Sequence, residues 1–95
     1  MSFLLIYAGF DPTNGAGVSL DTYIARSLGV YPISITTALT VQDDKGVYDV
    51  FPIPINVIKK QMDRFLSFPI SAAKVGMLYN KDYLSLIVRF SRKVG

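Results

Sequence analysis

Phe3-Leu4-Leu5-Ile6-Tyr7-Ala8 is a continuous apolar run that breaks into Gly9-Phe10-Asp11-Pro12-Thr13-Asn14-Gly15-Ala16-Gly17, a string of turn-forming residues. Side chains along a strand point alternately to opposite faces, so an uninterrupted apolar run suits a strand covered on both sides, as in a parallel sheet. The glycine- and proline-rich string marks a turn. Val18 to Leu28 then reads as a helix, with Gly29 in the position where helices commonly stop. The chain therefore opens as strand, loop, helix.

The same alternation continues outward from that unit. Ile33, Ile35, Thr37, Leu39 and Val41 alternate with Ser34, Thr36, Ala38, Thr40 and Gln42, a period of two rich in β-branched residues. Asp43-Asp44-Lys45-Gly46 makes a turn into a short strand, Val47 to Phe51. After Pro52 and Pro54, residues Ile55, Ile58, Met62 and Phe65 recur at three- and four-residue spacing, which is one face of a helix. Ala72 to Met77 is a further small apolar strand. Asn80 reads as an N-cap, and a last helix covers Tyr83 to Arg92. Strands alternating with helices predict an α/β fold with a mostly parallel sheet flanked by helices, in a single segment over residues 1–95. The pattern ends on a helix that would normally feed another strand, so the expected fold is incomplete.

Composition narrows the chemistry. The chain has 95 residues, 51% of them hydrophobic and 18% charged, which excludes intrinsic disorder. A chain this short buries roughly 60–65% of its unfolded surface, so a high apolar content points to surface meant for further chain or another subunit. There is no cysteine and no histidine, and all seven acids are aspartates: Asp11, Asp21, Asp43, Asp44, Asp49, Asp63 and Asp82. A disulfide framework, a thiolate metal site, a Ser-His-Asp triad and a paired-glutamate hydrolase are closed, and no metal site is expected. The net charge is +3, with Arg89, Arg92 and Lys93 near the end. Cations in the last turn of a helix offset its negative end, and the other basic residues are scattered, so nucleic acid is not an expected partner. Met1 to Ala8 is too short to span a bilayer and lacks a basic leader. A cytoplasmic protein without a membrane partner is the expectation.

The glycine-rich loop between strand and helix is a common place for a phosphate or a polar ligand, because backbone N–H groups and the helix N-terminus favour negative charge there. It is neither a P-loop, since Val18 and not Lys follows Gly17, nor a dinucleotide fingerprint, since Leu20 stands where a third glycine is needed. Spacing alone leaves a ligand role and a structural turn both open. Asp21 falls on one helical face with Val18 and Ala25. It suits a polar ligand, or equally an acid stabilised by the positive end of its own helix.

The whole string is more specific than the loop. Ala8-Gly9-Phe10-Asp11-Pro12-Thr13-Asn14-Gly15-Ala16-Gly17 resembles the opening motif of the hydroxymethylpyrimidine/phosphomethylpyrimidine kinase family. Leu28-Gly29-Val30-Tyr31, Thr37-Ala38-Leu39-Thr40-Val41-Gln42 and Lys74-Val75-Gly76-Met77-Leu78 resemble the signatures that follow, in the right order. The resemblance implies the N-terminal part of a three-layer ribokinase-like fold and a place in thiamine biosynthesis. It implies phosphorylation of hydroxymethylpyrimidine and then of its monophosphate, with ATP and Mg2+.

On that resemblance Asp21 hydrogen-bonds the aminopyrimidine and Gln42 contacts its edge. Gly9 lets backbone approach the ring, and Met77 packs on its face. Asp11, Gly15 and Gly17 belong to the ligand loop. Gln42 also suits such a role by its place at the end of an apolar strand. Two positions depart from the family pattern. Phe10 stands where a small residue is usual, narrowing the pocket or pointing elsewhere, and Asn14 stands where Gly is frequent. A lysine in a small apolar strand, Lys74, either neutralises a substrate phosphate or pairs with an aspartate; its place beside Ala72 and Gly76 across the pleat suits the pairing better.

The family's ATP site, its glycine-rich anion hole and its catalytic base belong to a later half whose motifs do not occur here. The resemblance therefore implies no catalytic residue in this chain, ATP and Mg2+ bound by a missing C-terminal half or a second chain, and a homo-oligomer. An inactive pyrimidine-binding or interaction module, and a pyridoxal-type vitamin kinase, are the alternatives.

Overall fold

The computed structural model describes residues 2–76 together with Tyr83, Leu86 and Ile87. Its elements are β1 (Phe3–Phe10), α1 (Gly17–Ser27), β2 (Tyr31–Asp43), β3 (Gly46–Pro52), α2 (Ile55–Asp63) and β4 (Ile70–Val75). They form one four-stranded sheet in the order β3-β2-β1-β4. β1 runs parallel to both β2 and β4, and β3 returns antiparallel along β2. The chain is thus an α/β sheet with a parallel centre, as the alternation of elements predicts.

The apolar run of β1 serves two layers at once. Leu5 and Tyr7 point to one face, where they pack with Ile33, Ile35, Ile58 and Met62. Ile6 and Ala8 point to the other, against Val18 of α1. Helix therefore lies on each side of the sheet. Tyr83 and Ile87 add to the α2 side, where the Tyr83 hydroxyl donates to the Ile53 carbonyl.

Several boundaries differ from the sequence expectation, and each has a non-local cause. β1 continues two residues past Ala8. Phe10 pairs with Leu39 after a register shift, and the Thr40 hydroxyl donates to the Phe10 carbonyl at 2.8 Å. β4 starts at Ile70, two residues early, because Phe3 pairs with Ile70 at the sheet edge. α2 ends at Asp63 although the apolar periodicity runs on to Phe65. There the Phe65 N–H bonds to Met62, three residues back, tightening the last turn. Asn80 and most of the last expected helix lie outside the described residues; Tyr83, Leu86 and Ile87 within it are helical.

Gly29 ends α1 as expected. Its φ is +76°, the Val30 N–H reaches the Ala25 carbonyl at 2.9 Å, and the Gly29 N–H reaches Arg26 at 3.1 Å. This paired closure satisfies the last carbonyls of the helix.

Candidate functional site

The site is built where β1 gives way to α1. Asp11 is buried, and its carboxylate folds the loop around itself. The Thr13 N–H donates to Oδ1 at 2.8 Å, and the Thr13 hydroxyl lies 2.8 and 2.9 Å from the two carboxylate oxygens. Pro12 fixes the first bend, closed by the Asn14 N–H on the Asp11 carbonyl at 2.9 Å. Asn14 then takes a φ of +60°. That is the left-handed region open to glycine and tolerated by asparagine, which accounts for this departure from the family pattern. Gly17, at φ +73°, lays the end of the loop back on β1 through a bridge to Phe10.

Desolvation works to raise the pKa of the Asp11 carboxyl. The Thr13 N–H and hydroxyl, the Gln42 side chain and the Gly15 N–H outweigh it, so the pKa falls below its ordinary value of 3.8. Its stabilising contribution is therefore complete above pH 3.8 and is lost as pH falls through the lower folded-state value. Asp11→Asn is expected to flatten this part of the acid limb. Urea midpoints for parent and variant between about pH 2 and 6 check it; parallel pH curves would mean that the carboxylate does not hold the loop.

Around this loop lies a cavity of about 470 Å³ at the carboxyl ends of the parallel strands. β1 contributes Ala8, Gly9 and Phe10, α1 contributes Leu20 and Asp21, and β2 contributes Thr40 and Gln42. Lys74 and Gly76 close it from the β4 side, and Val47 and Val50 of β3 form a further wall. Crevices at the strand ends of open α/β sheets are their usual ligand sites. The expected residues Gly9, Asp11, Gly15, Gly17, Asp21 and Gln42 all line this single cavity. Met77 lies outside the described residues. Phe10 is among the residues that line the cavity.

Lys74 pairs with an aspartate, and the partner is Asp21: Nζ lies 2.5 Å from Oδ1. The Asp21 side chain is only 11% exposed. The valines of β3 were not among the sequence candidates. The register carries their signal, because Gln42 faces Val47 and Thr40 faces Val50 across the hairpin, on the same side of the sheet.

The lining suits a small, mostly apolar ring with a few polar edges. It does not suit the triphosphate of ATP. The charged residues of the wall are Asp11, Asp21 and Lys74, and the lysine is already paired with a carboxylate. A polyanion there would face two carboxylates and no free cation among the described lining residues, so that lining offers no clamp for a triphosphate.

Comparison with known proteins gives the family. The family model for phosphomethylpyrimidine kinase matches residues 11–95. The hydroxymethylpyrimidine/phosphomethylpyrimidine kinase of Aquifex aeolicus is 42% identical over 84 residues, covering 87% of this chain and 33% of that protein. The crystal structure of phosphomethylpyrimidine kinase from Clostridium difficile superposes with a TM-score of 0.88 at 33% identity, over 99% of this chain and 41% of its own. Pyridoxal kinase from Staphylococcus aureus, solved in complex with pyridoxal, gives a TM-score of 0.86 at 29% identity, over 97% and 35%. These are kinases of the ribokinase-like class, and the four-stranded sheet with its flanking helices corresponds to part of each. The chain spans about a third of the length of the curated relatives it matches. By the family model and by fold, the chain belongs to the phosphomethylpyrimidine kinase family.

Proposed function

We propose that this chain supplies the pyrimidine-binding part of a kinase that phosphorylates hydroxymethylpyrimidine and its monophosphate in thiamine biosynthesis. The observation that carries the proposal is the cavity at the strand ends, where Asp21 and Gln42 stand with Asp11, Thr40 and Lys74 as the polar groups of an otherwise largely apolar wall. Asp21 accepts a hydrogen bond from the ring amino group, and the Gln42 amide meets the adjacent ring edge. Gly9 lets the ring lie against backbone. ATP and Mg2+ bind a further segment, supplied by the rest of the kinase or by a second chain. The working protein is a cytoplasmic homo-oligomer without nucleic-acid or membrane partners.

The test is transfer of phosphate from ATP to hydroxymethylpyrimidine, with the 95-residue chain alone and with the remaining two-thirds of the Aquifex aeolicus relative added. Product only in the combined reaction is the expected result. Pyrimidine binding by the chain without product in either case would leave an inactive binding module. No binding at all would overturn the proposal.

The similarity to a pyridoxal kinase solved with pyridoxal supports a second reading, in which the ring is a pyridine. Competition decides between them. Pyridoxal should displace hydroxymethylpyrimidine only at large excess, and the reverse order would select the second reading.

A further inference from the structure

Lys74 reaches from β4 to α1 across 53 residues of sequence, and its ammonium sits on one oxygen of Asp21. Asp21 and Lys74 border two cavities at once. One is the large cavity described above. The other, of about 180 Å³, is walled by Leu4, Ile6, Ile24, Ala25, Leu28 and Val30. The ion pair is therefore a polar partition between a mixed pocket and an apolar one.

A nearly buried carboxylate in that position needs a partner, because a lone charge beside apolar walls is strongly disfavoured. A carboxylate carries two acceptor oxygens and, when ionised, no hydrogen to donate. Lys74 occupies Oδ1 and leaves Oδ2 without a demand from the ammonium. A group held in this way attracts N–H and repels the lone pairs of a carbonyl.

We infer that Lys74 is a positioning residue that sets specificity: it pins Asp21 as a fixed, charged acceptor, so that the pocket takes a ring bearing an amino group and rejects the corresponding oxo ring. This rests on the pyrimidine reading above. Without the ammonium the carboxylate turns toward solvent, and the contrast between amino and oxo rings collapses. Repulsion of the wrong partner is as much a source of specificity as attraction of the right one.

The experiment measures, by calorimetry on the 95-residue chain, the affinity for hydroxymethylpyrimidine and for its 4-oxo analogue. The parent is expected to prefer the amino ring by about tenfold or more, as for a charge-assisted contact. Lys74→Met is expected to lose about tenfold in affinity for the amino ring and to bring the two ligands within about threefold. Lys74→Arg keeps the charge and is expected to restore most of the preference. Lys74→Gln keeps a hydrogen-bond donor between β4 and α1 but carries no charge. It is expected to keep most of the thermal stability and still to bring the two ligands within about threefold, which a purely structural tie would not do.

An unchanged amino-to-oxo ratio in folded Lys74→Met or Lys74→Gln overturns the inference and leaves the pyrimidine site standing. Should Lys74→Met fail to fold, Lys74→Gln decides alone. Failure of the parent to bind either ring overturns the pyrimidine reading and this inference with it.

Discussion

Gly17→Ala is expected to lower the stability of the chain by about 2–4 kcal/mol and to remove pyrimidine binding. The backbone of Gly17 is left-handed, at φ +73°, where a side chain costs about 1–2 kcal/mol. The alanine methyl would also collide with the Gly9 carbonyl oxygen, which is backbone and part of the cavity wall. Relief requires the loop to lift off β1, breaking the Phe10–Gly17 bridge and moving Gly9 away from the site. Gly15→Ala is the matched comparison. A Cβ there meets the Thr13 hydroxyl at 3.3 Å and Asp11 at 3.7 Å, contacts that a side-chain adjustment relieves. Its cost is expected to stay below about 1 kcal/mol. Urea denaturation and calorimetric titration of both variants check the pair. Similar behaviour of the two would mean that the loop does not lie back on β1 as described.

Asp21→Asn is expected to weaken hydroxymethylpyrimidine binding by about 1–3 kcal/mol, the range for a hydrogen bond to a charged group. The asparagine amide keeps the volume but gives up the negative charge, and it turns a donor toward either the Lys74 ammonium or the ligand amino group. Asp63→Asn is the control. Asp63 lies on the exposed side of α2 and pairs with Lys59 at 3.1 Å, four residues away. Exposed pairs of this kind contribute only a few tenths of a kcal/mol, so stability should hardly change and ligand affinity not at all. Calorimetry on both variants separates the outcomes. Binding lost equally in both would point to a general loss of fold, and binding kept in Asp21→Asn would remove Asp21 from the pocket.

What could be read from the sequence was whatever local periodicity encodes. β1 announced itself through Leu5 and Tyr7 on one face and Ile6 and Ala8 on the other, and these do fill two separate clusters. The end of α1 at Gly29 followed from one glycine. The expected ligand-loop residues Asp11, Gly15 and Gly17 meet in a cavity because a single nine-residue string carries them. Contacts between distant segments could not be read in this way. Phe10 joins β1 through partners far along the chain, pairing with Leu39 and accepting at its carbonyl from Thr40, 30 positions away. The sequence left Asp21 with two readings and Lys74 with two more. The fold joins them, since each is the other's partner. Nothing within seven or eight residues of either one specifies that contact. The order β3-β2-β1-β4 is of the same kind, because it depends on which edge of β1 each later strand finds.

Pyrimidine binding in the cavity between β1, β2, β4 and α1 is open to direct observation. The most direct measurement is titration of the isotopically labelled 95-residue chain with hydroxymethylpyrimidine, followed through its backbone amide resonances. Saturable shifts confined to the cavity wall are expected, largest at Gly9, Gly17, Asp21 and Gln42, with Asp63 and the rest of α2 unmoved. A spectrum that stays unchanged at millimolar ligand, or shifts centred away from that wall, would contradict binding there.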